Sequence, residues 1–291
     1  MRLIALVALI LGVMMIAYPY ISDYFYKQRQ AEVITRQINK VESIGKDNTS
    51  MIEEQKKHAL DYNKVLSTGM CTITDPFDPN RKAISPKEYG ECLNLLGDGV
   101  MGSIDIPAID TKLAIYHSVS NDVLEKGVGH IENSSLPIGG PSSHCVLTGH
   151  TGIPSKKIFD DLNQVKVGDY FVINVLGEDH AYRVKAIEKV LPGETDSLRI
   201  KRDEDWCTLI TCTPYGINTH RLLVHAKRCE VPADYYKVKA NEQVVQKPRL
   251  DKIVVFSLTG VACGVGLVSS FVYFKKRYDK QKKQPVHMRT K

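Results

Sequence analysis

Two long apolar runs bracket this chain and constrain everything between them. Residues 3–21 read LIALVALILGVMMIAYPYI and residues 253–274 read IVVFSLTGVACGVGLVSSFVYF, neither containing a charged side chain. About twenty apolar residues cross the hydrocarbon layer of a bilayer as a helix. The first run is read as an uncleaved signal anchor, because it continues through Tyr18-Pro19-Tyr20 into charged sequence with no small-residue cleavage site behind it. The second is followed directly by Lys275, Lys276 and Arg277. Positive flanks stay in the cytoplasm, so both termini are expected inside and residues 22–252 outside.

The charge supports this layout. Lys and Arg number 39 against 33 Asp and Glu, a formal net charge of +6. Much of the excess lies in the tail KKRYDKQKKQPVHMRTK, behind the second apolar run, where a basic segment meets anionic lipid. That placement argues against a nucleic-acid surface.

Between the spans the texture changes twice. Ile34, Ile38 and Val41 recur at helical spacing among charged residues, and a second helix is expected to begin at Ser50, with Glu53 completing a capping box. The pair reads as a stalk or a brace. Residues 71–99 are rich in Pro, Asp, Asn and Gly without periodicity, and a loop this long is functional or disordered. It contains Asp75-Pro76-Phe77, by itself an ordinary turn.

Residues 100–232 read as short strands with turn signals and few helices. Apolar runs at 104–106, 112–119, 144–148, 170–176 and 182–190 are separated by Pro/Gly/Asp segments. A hairpin is expected at 177–180 and a helix around 156–162. This pattern predicts a closed, antiparallel-rich barrel. The last two strands lie in TLITCTPYGINTHRLLVHAKR, residues 208–228. Cys212 ends the first and Arg221 begins the second, with Pro214-Tyr215-Gly216 turning between them, so a thiol and a guanidinium face one space.

The contiguous TLxTC, TPYG and NTHRL elements of that stretch resemble the active-site signature of sortases, the cysteine transpeptidases of Gram-positive cell surfaces. The likeness is strongest to class C, the pilin polymerases, and covers residues 104–231 as a catalytic domain. It implies an eight-stranded β-barrel with short helices, preceded by the helical pair and a lid loop and flanked by two transmembrane helices. It also selects among nine histidines. Catalytic Cys and His meet in space rather than in sequence, but LTGHTG matches the strand-end histidine of the family, which implies His150. His220, next to Arg221, is expected on the opposite face of its strand. With Thr211 and Asn218 it is read as a supporting residue.

The resemblance gives Asp75-Pro76-Phe77 a role as well. Class C enzymes carry a DP-aromatic motif that plugs the active site, which implies that Asp75 pairs with Arg221 or the catalytic pair and that Phe77 fills the groove. The implied chemistry is attack by Cys212 on a carbonyl of an LPxTG-like sorting signal, protonation of the leaving amine by His150, and resolution of the thioester by a pilin lysine. Arg221 either stabilises the oxyanion or binds substrate. A wall-anchoring sortase that uses a peptidoglycan precursor is the alternative within the class, and a non-catalytic peptide-binding barrel tethered to the membrane is the alternative outside it.

Seven cysteines complete the inventory. Cys263 lies in the second apolar run. Cys71 and Cys92 bracket the lid and face a compartment that permits a disulfide, while Cys145, Cys207 and Cys229 fall in strand patterns and are expected in the core. No CxxC pair occurs, so no structural zinc is expected, and no cofactor is called for. The expected partners are pilin subunits, the acceptor lysine and the lipid membrane. The chain is thereby divided into an anchor (1–22), a helical region (23–70), the lid loop (71–99), the barrel (100–232), a linker (233–252), a second span (253–274) and a basic tail (275–291).

Overall fold

The β-branched run of residues 205–213 and the apolar run after Arg221 pair over their whole length, and a barrel closes around them. The computed structural model of the chain describes residues 2–47, 49–68, 73–78 and 87–236, with positions 272, 273, 275 and 277 beyond them. Its strands are β1 (Val100–Ile106), β2 (Thr111–His117), β3 (Val128–His130), β4 (Ser143–Thr148), β5 (Tyr170–Val175), β6 (Glu178–Val190), β7 (Asp205–Thr213) and β8 (His220–Cys229). They form one closed barrel in the order β1-β2-β3-β4-β7-β8-β6-β5. The β2–β3 and β4–β7 contacts are parallel and the others antiparallel. The eight-stranded expectation holds, and barrel and brace belong to one compact unit, Ile16–Pro232.

Period-two alternation sorts each strand into two faces. Along β7, Cys207 and Leu209 join the barrel interior with Cys145, Leu147, Val224 and Ala226. Ile210 faces outward into a smaller cluster with Val146, Leu198 and Leu223. That second cluster forms the floor of the candidate site.

The α-helices around the barrel are α1 (Arg2–Asp47), α2 (Thr49–Thr68), α3 (Lys87–Glu91) and α4 (Asn121–Leu124), with three-residue 3-10 helices at Pro107–Ile109, Leu162–Gln164 and Asp196–Leu198. Helix α1 is continuous through Pro19, where separate spanning and brace segments were expected. From Tyr20 to Ile44 no proline or glycine interrupts a run rich in Gln, Arg, Glu and Lys, so the helix has nothing to stop it. Its early apolar residues are exposed, Met15 at 78% and Ile16 at 73%. It is the one helix among the described residues long and apolar enough to cross a membrane. Most of the second expected span and of the basic tail, together with Cys71 and Cys263, lie outside the described residues.

The helices brace the barrel, as the amphipathic pattern indicated. Ile34 packs with Val100, Ala114 and Tyr116, and Gln30 accepts a hydrogen bond from Ala114 N (2.9 Å) while donating to Lys126 O (2.7 Å). Helix α2 begins at Thr49, so Ser50 lies inside it instead of capping it. Its buried Asn63 accepts from Leu136 N at 2.6 Å and donates to Leu136 O and Gly139 O at 3.2 and 3.3 Å. Asn63→Ala strands these backbone groups out of water and is expected to cost about 1–3 kcal/mol. Denaturant melts of the detergent-solubilised chain check this, and an unchanged midpoint would refute it.

Three further expectations are corrected. Residues 156–161 form bends and turns rather than a helix, with only a three-residue 3-10 helix at Leu162–Gln164, because Asp160 ties the backbone locally, accepting from Gly152 N and Ile158 N. The β5–β6 turn is two residues, Leu176 (φ 50°) and Gly177 (φ 82°), with Glu178 already paired to Val175. Two successive positive φ values make the tight hairpin turn that suits twisted strands. Cys145 and Cys207 are buried as expected, but Cys229 is half-buried at the end of β8, where the barrel wall meets solvent.

Candidate active site

Register alone brings Cys212 and Arg221 together. They are direct partners across the β7–β8 pair, which puts their Cβ atoms about 5 Å apart on one face. Each is 9% exposed. Arg221 Nη1 donates to Asn218 O (3.1 Å) and His220 O (3.3 Å), so the turn before β8 fixes the guanidinium from behind. Asn218 supports the site through that carbonyl and adopts φ 62° to present it. His220 pairs in register with Thr213 and hydrogen-bonds the Thr219 hydroxyl at 3.0 Å.

His150 arrives from the neighbouring parallel strand. The last β4–β7 partners are Thr148 and Ile210, so two residues further on His150 stands at the level of Cys212. The approach is held by Gly149 N donating to Ile210 O (3.2 Å) and by the Thr211 hydroxyl donating to Gly149 O (2.7 Å). Thr211 is thus a fastener for the histidine segment, on the face opposite Cys212. Gly149 is required by packing, since a Cβ there would lie 2.8 Å from Ile158 and 2.9 Å from Phe159. Phe159 N closes the loop onto His150 O at 3.0 Å.

The Asp75-Pro76-Phe77 segment occupies this space. Arg221 Nε and Nη2 donate to the two Asp75 carboxylate oxygens at 2.9 and 2.7 Å, a bidentate pair whose side chains are 11% and 9% exposed. The Phe77 ring lies 5.0 Å from the Arg221 guanidinium carbon and 5.6 Å from the His150 ring. Pro76 is buried while Phe77 is half-buried. The turn is set locally, Phe77 N donating to Asp75 Oδ1 and Asp78 N to Asp75 O, both at 3.3 Å.

These surroundings hold Cys212 and His150 in their neutral forms. Burial pushes the Cys212 thiol up, Arg221 pulls it down and Asp75 pushes it up again. Burial, and then Lys156, hold His150 below its ordinary value against Glu125 and Asp160. Asp75 therefore takes up the charge of Arg221 that would otherwise favour a thiolate. With the lid displaced, the site presents a thiol, an imidazole and a guanidinium on one face, a set competent for acyl transfer.

The cleft beneath the lid has one wall that the sequence did not disclose. Leu191, Glu194, Thr195 and Leu198, from the crossover joining β6 to β7, line it opposite Ile210 and Leu223. These residues carry no motif and lie in irregular chain and a three-residue 3-10 helix (Asp196–Leu198), so no periodic signal marked them. No group of side chains suited to a metal occurs among the described residues.

Comparison with known proteins places this geometry. The family model for the sortase domain matches residues 104–229. The chain is 26% identical over 130 residues to Sortase D of Bacillus subtilis (strain 168), a match that covers 44% of this chain and 63% of that relative's length. Among solved structures it is similar to sortase C-1 from Actinomyces oris, at 43% identity over 62% of this chain and 99% of that one, with a TM-score of 0.59. It is also similar to Sortase C of Streptococcus pneumoniae, at 38% identity over 69% and 98%, with a TM-score of 0.62. The pneumococcal structure is described as giving insight into catalysis and pilin substrate specificity.

Proposed function

We propose, because this chain belongs to the sortase family of cysteine transpeptidases, that it is a membrane-anchored pilin polymerase in which Cys212, His150 and Arg221 carry the reaction. The observation that carries this reading is the bidentate Asp75–Arg221 pair with Phe77 seated against His150, a plug over the thiol. A barrel that merely binds peptide has no need to cover a cysteine set opposite an arginine.

In the open site Cys212 Sγ, losing its proton to His150, attacks the carbonyl carbon of the scissile peptide in an LPxTG-like signal. Arg221 and nearby backbone N–H groups receive the developing oxyanion. The C–N bond breaks as the proton on His150 passes to the departing amine, leaving a thioester. A lysine amine of the next pilin attacks that thioester, its proton passes to His150, and Cys212 leaves as thiolate. The product is an amide between two subunits.

The test is incubation of the detergent-solubilised chain with an LPxTG-type peptide and either a lysine-bearing pilin-type acceptor or a peptidoglycan-type amine. Transfer to the lysine, read by mass, is the expected result. Transfer only to the peptidoglycan-type amine would make it a wall-anchoring enzyme, and no acyl transfer at all would remove the enzymatic reading. Topology provides a second check. A cysteine introduced at Asn121 is expected to react with an impermeant reagent on intact cells, while a reporter behind Lys291 stays cytoplasmic. Protection of position 121 until the cells are lysed would overturn the extracellular placement.

A further inference from the structure

Outside the site just described, one buried chain of polar side chains crosses four strands beneath the crossover of residues 191–204. His144 on β4 donates from Nδ1 to Arg199 O at 3.1 Å, and its Nε2 meets the Thr208 hydroxyl of β7 at 2.7 Å. The same hydroxyl meets His225 Nδ1 of β8 at 2.8 Å, and His225 Nε2 meets Glu188 Oε1 of β6 at 2.9 Å. Ser197, back on the crossover, lies close enough to Glu188 to help hold its carboxylate below the ordinary value. His144 and Thr208 are 1% and 0% exposed and His225 7%, so water does not compete for most of these bonds.

The proton count gives the chain a direction. Burial holds His144 neutral, at about 4. Since Nδ1 carries its proton to Arg199 O, Nε2 accepts, and the single Thr208 hydroxyl proton is spent there. The Thr208 oxygen must then accept from His225 Nδ1, while His225 Nε2 faces a carboxylate that can only accept. All the bonds are satisfied when the His225–Glu188 pair holds one proton beyond a neutral imidazole and a carboxylate. The result is a one-way ladder from Glu188 through His225, Thr208 and His144 to the Arg199 carbonyl.

The ladder holds the crossover at Arg199, and Ser197 lies beside its other end. Between them is Leu198, 2% exposed, which packs on Val146, Ile210 and Leu223 and lines the cleft under the lid. We infer that Glu188, His225, Thr208 and His144 are positioning residues: they fix the crossover, with Leu198 at its centre, as the wall against which the substrate peptide is read. None of the four touches the reacting atoms. The inference rests on the proposed function only in taking this cleft as the peptide's seat.

Thr208 allows a clean test, because serine keeps the hydroxyl and valine removes it at similar size. Two measurements are made on the detergent-solubilised full chain. One is hydrogen exchange at the amides of Leu198 and Arg199, which donate to Thr195 O and Asp196 O at 3.0 and 3.4 Å. The other is kcat and KM for an LPxTG-type peptide. Thr208→Val is expected to speed exchange at these two amides about tenfold and to raise KM by a similar factor, with kcat within about twofold, because it breaks a buried charge-assisted chain. Thr208→Ser is expected to match the wild type in both. Wild-type exchange in the Thr208→Val protein overturns the inference. So does faster exchange with unchanged KM, since the crossover would then be held without serving recognition. If Thr208→Val fails to fold, Glu188→Ala, which leaves His225 Nε2 without its partner at the exposed end of the ladder, takes its place, and the same two readouts decide in the same way. A wild type that cleaves no peptide defeats the functional reading instead, and the exchange measurement alone then decides whether the ladder holds the crossover.

Discussion

Cys212→Ala is expected to abolish both cleavage of the sorting signal and transfer to the acceptor, because no other described residue on this face can form the thioester. His150→Ala is expected to lose about 10²–10⁴-fold in turnover, the range for removing a positioned acid–base group. Arg221→Ala should lose about 10²–10³-fold if its donors act on the oxyanion, and the loss should fall on kcat. If Arg221 serves substrate binding instead, the change appears in KM. Single-turnover cleavage of an LPxTG-type peptide by the detergent-solubilised chain, followed by mass detection of the acyl-enzyme, separates the steps. Wild-type product from Cys212→Ala would end the mechanism. Arg221 carries a complication that follows from the structure, since removing it also releases Asp75 and so opens the lid. Alkylation of Cys212 in the Arg221→Ala protein reads that opening separately from catalysis.

The lid accounts for the second large effect. Two buried charge-assisted hydrogen bonds and a half-buried ring hold it closed. Breaking them together, in Asp75→Ala/Phe77→Ala, is expected to weaken closure by about 2–3 kcal/mol. The open fraction would then rise about 30- to 150-fold until it saturates. The alkylation rate of Cys212 and the cleavage of a short peptide should rise with it. pH supplies an independent sign. The closed site raises the Cys212 thiol through burial and through Asp75, so closing takes up a proton relative to the open state. Raising the pH therefore favours opening, and the double variant should alkylate with a midpoint at lower pH than the wild type. Equal rates and equal midpoints in two folded proteins would reduce the motif to a turn.

Much of this site was readable from local sequence because strands repeat every two residues. The alternation in residues 205–213 and 220–229 placed Cys212 and Arg221 on one face, and the turn residues between them set the register that makes them partners. The glycines around His150 marked a strand end, and the apolar run of residues 3–21 marked a helix long enough for a bilayer. Other features had no local mark. His150 stands at the level of Cys212 because β4 lies parallel to β7, a pairing separated by 62 positions along the chain. Asp75 meets Arg221 across 146 residues. The Glu188–His225–Thr208–His144 ladder joins four strands, each of whose polar residues alone reads as an interruption in an apolar pattern. Periodicity records which face a side chain takes, because that follows from backbone geometry within one element. Which faces then meet depends on how the barrel closes, and the closing hydrogen bonds are made between segments that no local pattern connects.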